Sequence, residues 1–511
     1  MSKKSSIKAI ILLFSFISIS NFALSQNVKV YGTITNVLNN DPIPFANIIV
    51  EGTMIGTTSD IDGNYEILNL QAGAYNFKCS YIGFNTDIQS EIKVSSNKNL
   101  RLDFFLSENS EVLSEVKVKG NTFNKTKASP VSLRTINASE ISKSPGGNRD
   151  ISKVISNLPG VSSSSSFRND IIIRGGAPSE NRFFLDGIEI QTINHFSTQG
   201  SSGGPVGILN VNFIREVDLY TGAFPANRGN ALSSVMELKQ IEGNDEEISG
   251  SFTVGSSDAG LTLNTPISKK STLLLSVRRS YLQFLFKALK LPFLPTYNDM
   301  QFKYTYKPNN KNQFNFLGIA AIDDFTLNPG INEGEKDSMQ LAQNNYNLNN
   351  LVINNQWNYT AGGTWRHFFS NSNLFFVMSR SHLNNTALKY LDYADVTSQK
   401  ILDYKSEEIE NKTRLEYNFE RNEYTINVGA NLEDATYLNN TKQNFTVGDS
   451  IFTGVVNADL NFLKYGAFTQ IGKTYFSNKL VASFGLRIDG NSFTESKNTP
   501  NLSPRLSLAF N

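Results

Sequence analysis

The sequence predicts a mainly β protein in three successive parts: an N-terminal β-sandwich, a small α/β domain, and an antiparallel transmembrane β-barrel that is incomplete at its far end. Three observations carry this expectation. From Glu247 to the end, segments of about ten residues alternate apolar and polar side chains, which suits strands with lipid on one face and water on the other. Residues 27–106 hold short alternating strands divided by Asp, Gly and Pro turns. Between them, Asp150 to Glu237 mixes one helical apolar period with strands too short for a barrel.

Residues 1–25 have the organisation of an export signal. Lys3, Lys4 and Lys8 precede the apolar run Ala9 to Ile19, and Ala23-Leu24-Ser25 offers small residues for cleavage before Gln26. The apolar run is too short to cross a bilayer, and no Cys follows the cleavage site to take a lipid. A single cysteine, Cys79, excludes an internal disulfide. A net charge of +1 with no long basic run argues against a nucleic-acid partner. The mean hydropathy of −0.27 is too polar for a helical membrane protein but suits a barrel, whose apolar positions are hidden in alternation.

In the first domain, residues 27–106, Val28 to Ile34 and Tyr65 to Leu70 alternate, and turns fall at Asp41-Pro42, Asp62-Gly63-Asn64 and Ala72-Gly73. Asp60-Ile61-Asp62-Gly63 has the look of a calcium loop but lacks the remaining ligands of the twelve-residue pattern, so it is taken as a turn and no metal is assigned. The run from Gly32 to Phe84 resembles the carboxypeptidase regulatory-like domain, an accessory β fold that carries no peptidase chemistry.

The α/β domain, 128–240, is marked by four runs. In DISKVISNLPGV, Asp150 is a helix N-cap, Ile151, Val154, Ile155 and Leu158 share one face, and Pro159-Gly160 ends the helix. Ile171 to Ile173 forms a strand that runs into Arg174-Gly175-Gly176. In FFLDGIEI, Asp186-Gly187 is a hairpin turn between Phe183–Leu185 and Ile188–Ile190. Arg228-Gly229 lies in the fourth run, Tyr220 to Val235. Ser162 to Ser166 and Ser197 to Pro205 are loops, and His195 is placed as an exposed loop residue.

These four runs in this order, ahead of a barrel-like region, resemble the plug domain of TonB-dependent outer-membrane receptors and transporters, of the Bacteroidetes type in which a carboxypeptidase regulatory-like domain comes first. The plug motifs are then Leu158, Pro159, Gly160, Arg174, Gly175, Gly176, Asp186, Gly187, Arg228 and Gly229. In the linker, 107–127, Val112, Leu113, Ser114, Glu115, Val116, Lys117 and Val118 resemble the TonB box, an extended segment able to add a strand to a partner's sheet edge. The alternative is an ordinary strand of a neighbouring domain. The resemblance also implies that Arg174, Arg182, Arg215 and Arg228 pair with barrel-wall carboxylates; exposed salt bridges, worth about 0–1 kcal/mol each, are the alternative.

In the barrel region, 247–511, Met300, Phe302, Tyr304 and Tyr306 alternate with Gln301, Lys303, Thr305 and Lys307; Tyr424 to Glu433, Leu463 to Gly472 and Leu480 to Asp489 behave alike. Asp323 to Asn350 is expected to be an extracellular loop, and Ser477-Asn478 a short periplasmic turn. Gln283 to Leu291 is expected to be helical, with Phe284, Leu285, Ala288, Leu289 and Leu291 against the barrel rim. About a dozen strands are legible, whereas plugged transporters have about 22, so the chain is expected to be truncated at its C-terminal side.

No enzyme is expected. The three histidines, His195, His367 and His382, form no zinc motif, there is no phosphate-binding loop, and no catalytic residue or cofactor is assigned. The resemblance implies an outer-membrane receptor, its N-terminal domain in the periplasm, that imports a scarce ligand by energy-coupled plug movement. The ligand would be an iron chelate (siderophore uptake), a cofactor or an oligosaccharide. Its partners would be a TonB-type inner-membrane complex, outer-membrane lipid and the ligand; whether a surface lipoprotein lid joins is open. The alternatives are a non-transporting binding, adhesion or signalling receptor, or a non-functional truncated copy.

Overall fold

The computed structural model describes residues 28–96, 98–108, 131–144, 150–163, 168–197, 203–255, 257–393, 399–447, 450–476, 479–493 and 500–510. The export signal, the segment Val112 to Val118 and the turn Ser477-Asn478 lie outside the described residues.

The alternation of Val28–Asn36 places Val28, Val30 and Ile34 in an apolar core. That strand pairs antiparallel with Asn64–Leu70 and parallel with Leu100–Arg101 and Phe104–Leu106. A second sheet, in the order Gly56–Thr58, Asn47–Val50, Gly73–Ser80, Asp87–Val94, supplies Ile48, Val50, Phe77 and the buried Cys79 to the same core. Asp60 closes a turn: its Oδ1 accepts from the backbone N–H groups of Asp62 (3.0 Å) and Asn64 (2.8 Å). This occupies the carboxylate with local backbone, as Asp-rich turns do.

The α/β domain is built on a five-stranded sheet in the order Ile188–Ile190, Asn181–Leu185, Ser234–Gln240, Ile214–Tyr220, Leu133–Asn137. Only the pairing of Asn181–Leu185 with Ser234–Gln240 is parallel. Asp150 caps the helix Ile151–Ser156, accepting from Ser152 N–H at 2.9 Å. The helix stops earlier than expected, at Ser156, because a proline at 159 disfavours helical backbone at Leu158 before it. Ile151, Val154, Ile155 and Leu158 are all buried. The expected strand at Ile171 to Ile173 is short, with Ile172–Ile173 paired to Val161–Ser162.

Residues 249–510 form one antiparallel sheet of twelve strands in sequence order, from Ser249–Val254 to Asn501–Phe510. Among the described residues no pairing joins the first strand to the last. The two faces are chemically opposite. On Phe293–Asn309, Asp299, Gln301, Lys303 and Thr305 are buried against the α/β domain while Met300 and Tyr306 are exposed. Leu415, Leu432, Phe484 and Ile488 continue the exposed apolar face. Aromatic rings border it on both sides: Tyr306, Phe314 and Trp365 stack in a row at 6.3 and 6.2 Å, and Trp357 stacks on Tyr359 at 6.3 Å. Trp357 and Trp365 stand about 26 Å apart along their strand, on the scale of an apolar barrel band. Among the described residues no helix is long and apolar enough to cross a membrane.

Two expectations for the connections are corrected. Asp323 is not in a loop: it lies within the strand Asn312–Leu327 and is fully buried. The connection proper contains Pro329–Asn332 and the helix Ser338–Asn350, capped by Asp337. The helix Leu282–Ala288 forms, but it seats Phe286 against Phe293 (centroids 5.3 Å apart) and leaves Phe284, Leu285 and Leu289 exposed. A helix under two turns long turns only one narrow face to its neighbour.

Candidate functional site

The chemistry of the chain is concentrated where the α/β domain meets the inner face of the twelve-stranded sheet. Part of that contact is apolar: Leu317, Ile319, Ala321, Phe375 and Val377 interrupt the polar inner face and join the core formed by Leu185, Ile188, Ile190 and Leu238. The rest is polar, and it is organised around the sequence motifs.

The Asp186-Gly187 hairpin is tight because both residues have positive φ, +47° and +87°, the backbone of a two-residue type I′ turn. Asp186 Oδ1 accepts from Gln240 N–H at 2.9 Å, and its other oxygen lies 3.0 Å from Lys303 Nζ of the sheet. Arg414 Nη2 donates to Gly187 C=O at 2.8 Å. One strand further, Glu189 meets Lys412 at 3.0 Å and Arg182 at 3.9 Å. Burial opposes charge on Glu189, but Lys412 and Arg182 outweigh it and hold the carboxyl below its ordinary range.

Arg228 is enclosed on all sides. Its Nε donates to Glu237 at 2.8 Å, its Nη1 reaches Glu416 of the sheet at 3.3 Å, and its guanidinium lies 4.6 Å over the ring of Phe184. Burial works against the cation, yet Glu237 and Glu416 raise its pKa above the ordinary value. The neighbouring loop is held by its backbone. Arg487 Nη1 donates to Ala226 C=O (3.2 Å), Gln470 Oε1 accepts from Ala226 N–H (2.6 Å), and Arg505 Nη1 donates to Phe224, Pro225 and Arg228 C=O. Gly229 approaches the Arg487 guanidinium so closely that a Cβ has no room.

Of the four domain arginines expected to meet wall carboxylates, Arg228 does so by direct contact, and Arg182 also feels Glu410 and Glu433 of the wall. Within the α/β domain, Arg182 also pairs with Glu189 and Arg215 with Glu216, while Arg174 donates to Thr221 rather than to a carboxylate. The commoner arrangement is the reverse: Lys303, Lys412 and Arg414 of the wall hold carboxylates or carbonyls of the domain. Arg174 and Gly175 form a turn with φ of +52° and +80°, and Gly176 packs on Ser233. Leu158 is buried in the core, and Gly160 has φ +81°. These motifs therefore shape the domain, and among the described residues their wall contacts are those of Asp186, Gly187, Arg228 and Gly229.

His195 corrects the sequence expectation most sharply. It is 0% exposed rather than a loop-surface residue, with Nδ1 2.6 Å from Asp323 Oδ1 and Nε2 3.0 Å from Asp299 Oδ2. The sequence reading left Asp299 unremarked and put Asp323 at the head of a loop; the signal available was their inward parity, shared with Gln301.

A sheet that is apolar outside and polar inside, with an α/β domain seated on its polar face, has the architecture of a plugged β-barrel whose wall is not closed among the described residues. The comparisons agree. Residues 125–235 match the TonB-dependent Receptor Plug Domain and residues 30–118 the CarboxypepD_reg-like domain. The chain is similar to TonB-dependent receptor SusC of Bacteroides thetaiotaomicron, 28% identical over 217 residues, covering 40% of this chain and 20% of that protein. It is 33% identical over 141 residues to TonB-dependent receptor P3 of Formosa agariphila, covering 27% of this chain and 13% of that one. Among solved structures it resembles the ferric enterobactin receptor of Pseudomonas aeruginosa, with TM-score 0.54, 16% identity and coverage of 76% of this chain and 61% of that one. A similar likeness holds to the siderophore receptor PirA of Acinetobacter baumannii, with TM-score 0.53, 16% identity and coverage of 75% and 59%. The chain thus spans about three fifths of these solved relatives, and the matches to the curated ones cover under a third of each. Residues 125–235 thus match the plug domain of TonB-dependent receptors, and the proteins the chain resembles are receptors and transporters of that family rather than enzymes.

Proposed function

We propose that this chain acts in the outer membrane as a TonB-coupled importer of a scarce ligand: an iron chelate, a cofactor or an oligosaccharide. The observation that carries this is the character of the plug–wall contact. Side chains such as Lys303, Lys412, Arg414 and Arg505 hold the plug by hydrogen bonds and ion pairs, contacts that water can replace on both sides when the plug moves. A dry interface of the same size has no such substitute. The apolar outer face with its two aromatic rows supports insertion in lipid, and the fold shared with siderophore receptors supports a ligand entering above the plug.

Energy would enter through Val112 to Val118, pulled as an added strand on a TonB-type partner, with the first domain in the periplasm. A non-transporting receptor would use the same fold to bind without moving its plug. Deleting Leu113 to Val118 separates the two: uptake lost with surface binding retained supports import, and unchanged function supports binding alone.

A further inference from the structure

The cluster around His195 is sealed from solvent and lies on the plug–wall boundary, yet no motif above accounts for it. Each nitrogen of the ring faces a carboxylate oxygen, Asp323 Oδ1 at 2.6 Å and Asp299 Oδ2 at 3.0 Å. Both acids are already acting as acceptors. Phe196 N–H donates to Asp323 Oδ2 at 2.7 Å, and Arg278 Nε donates to Asp299 Oδ2 at 2.7 Å. A neutral imidazole carries one N–H and one lone pair, so in this setting its lone pair would point at a carboxylate oxygen. With both carboxylates ionised, only the imidazolium satisfies both contacts.

We propose that His195 is held as an imidazolium between Asp299 and Asp323 and pins the plug to the wall, so that the seating of this part of the plug weakens as pH rises. This rests on the plug being a body that moves. The pin sits in a stiff frame. Asn194-His195 pairs with Val206-Gly207, Gly204 packs on the His195 carbonyl with no space for a Cβ, and Arg278 donates to the carbonyls of Gly207 (2.6 Å) and Ile208 (3.3 Å). The Tyr297 ring lies against the imidazole at a tilt of 31°, centroids 4.3 Å apart, and its hydroxyl donates to Asp258 at 2.8 Å. On the plug side Asp150 accepts from Gly207 N–H at 2.8 Å. The charged and titratable groups around the pin and its frame are Asp299, Asp323, Arg278, Tyr297, Asp258 and Asp150, with the mutually paired Arg168 and Asp170 against Gly203. His195, Arg278, Asp299 and Asp323 together sum to zero charge, and loss of the histidine proton leaves a buried net negative.

The sign follows from linkage. Burial by itself disfavours the charged ring, and Asp323 and Asp299 more than reverse that, so the seated pKa lies above the ordinary value. Below about pH 6.5 the ring is protonated seated or released, and the pin is at full strength. As pH rises from there to the seated pKa, a released ring drops its proton and a seated one keeps it. Release then becomes easier by about tenfold per pH unit.

The test is nitrogen NMR of the histidines of the full chain in detergent, without ligand or TonB-type partner, between pH 5.5 and 9. There are three histidines, and among their contacts only His195 has two carboxylates: His367 faces Asn312, and His382 faces Glu407. The expected result is one imidazole with both nitrogens protonated well above pH 6.5, missing from H195Q and moved toward the ordinary value in D323N. Hydrogen exchange of residues 191–197 and 203–208 should rise above that pH by about tenfold per unit beyond its intrinsic pH dependence, and this excess should vanish in H195Q. The proposal is overturned if all three rings lose a proton near pH 6.5, or if that exchange shows no excess pH dependence. The wild-type titration decides even where H195Q does not fold. A failed uptake assay leaves the pin standing, and a failed titration leaves the importer standing.

Discussion

Removing the Arg228 guanidinium, as Arg228→Met, tests whether the plug is held by buried charge. Three favourable terms disappear together: the 2.8 Å bond to Glu237, the 3.3 Å pair with Glu416, and the contact 4.6 Å over Phe184. Breaking a buried ion pair costs about 3–5 kcal/mol when the abandoned charge is left alone. Glu416 is not left alone, since Arg414 Nε stays at 2.6 Å and Asn227 and Asn427 each donate at 3.0 Å. Glu237 is the more solvated of the two acids and recovers part of its hydration. The expected loss is therefore about 3 kcal/mol, below the top of that range. Local opening of residues 224–237 would then become about a hundredfold more frequent. Hydrogen exchange of that segment in the full chain reads this directly, and Glu416→Gln completes a double-mutant cycle. The two losses should fall short of additivity by about 1–2 kcal/mol, because each variant removes the same pair. A change in exchange below about threefold, or strict additivity, would refute a charge-based hold on the plug and leave the apolar contacts of Ile188 and Leu238 as its anchor.

Two further outcomes are expected. Gly187→Ala forces a side chain onto backbone at φ +87° and drives its Cβ to 3.0 Å from the Phe375 ring. The hairpin Phe183 to Ile190 should lose about 2 kcal/mol of protection in exchange, whereas Gly160→Ala, with open space around it, should lose only the backbone part, about 1 kcal/mol. In the first domain, burial and then Asp87 push the Cys79 thiol up to about 12. At pH 8 the folded chain should resist alkylation by a factor of about a thousand relative to the chain in denaturant. Alkylation at the denatured rate would place Cys79 outside the core.

Where sequence logic was local, it transferred to three dimensions. An N-cap needs only Asp150 and its next few residues, a hairpin only Asp186-Gly187 between apolar neighbours, and strand parity only a period of two. Asp60 illustrates the same point, since its partners are two and four residues away. The outer face of the sheet was legible for a related reason: a side chain on that apolar face meets the same kind of environment on every strand, so its type is set by parity alone. The inner face does not share that uniformity. Leu317, Ile319 and Phe375 are apolar there because a plug core lies opposite, and Lys412 and Arg414 are basic because Glu189 and the Gly187 carbonyl lie opposite. Nothing adjacent in the chain announces those neighbours. His195 shows the limit most clearly: within its own loop it reads as polar surface, while the two carboxylates that bury and charge it come from strands more than a hundred residues away. Sequence alone determined the order of the parts, the turns and the two faces of the sheet, because these depend on nearest neighbours and on solvent. Only the tertiary structure decided which charges meet, because the energy of an ion pair depends on distances that the chain sets by folding.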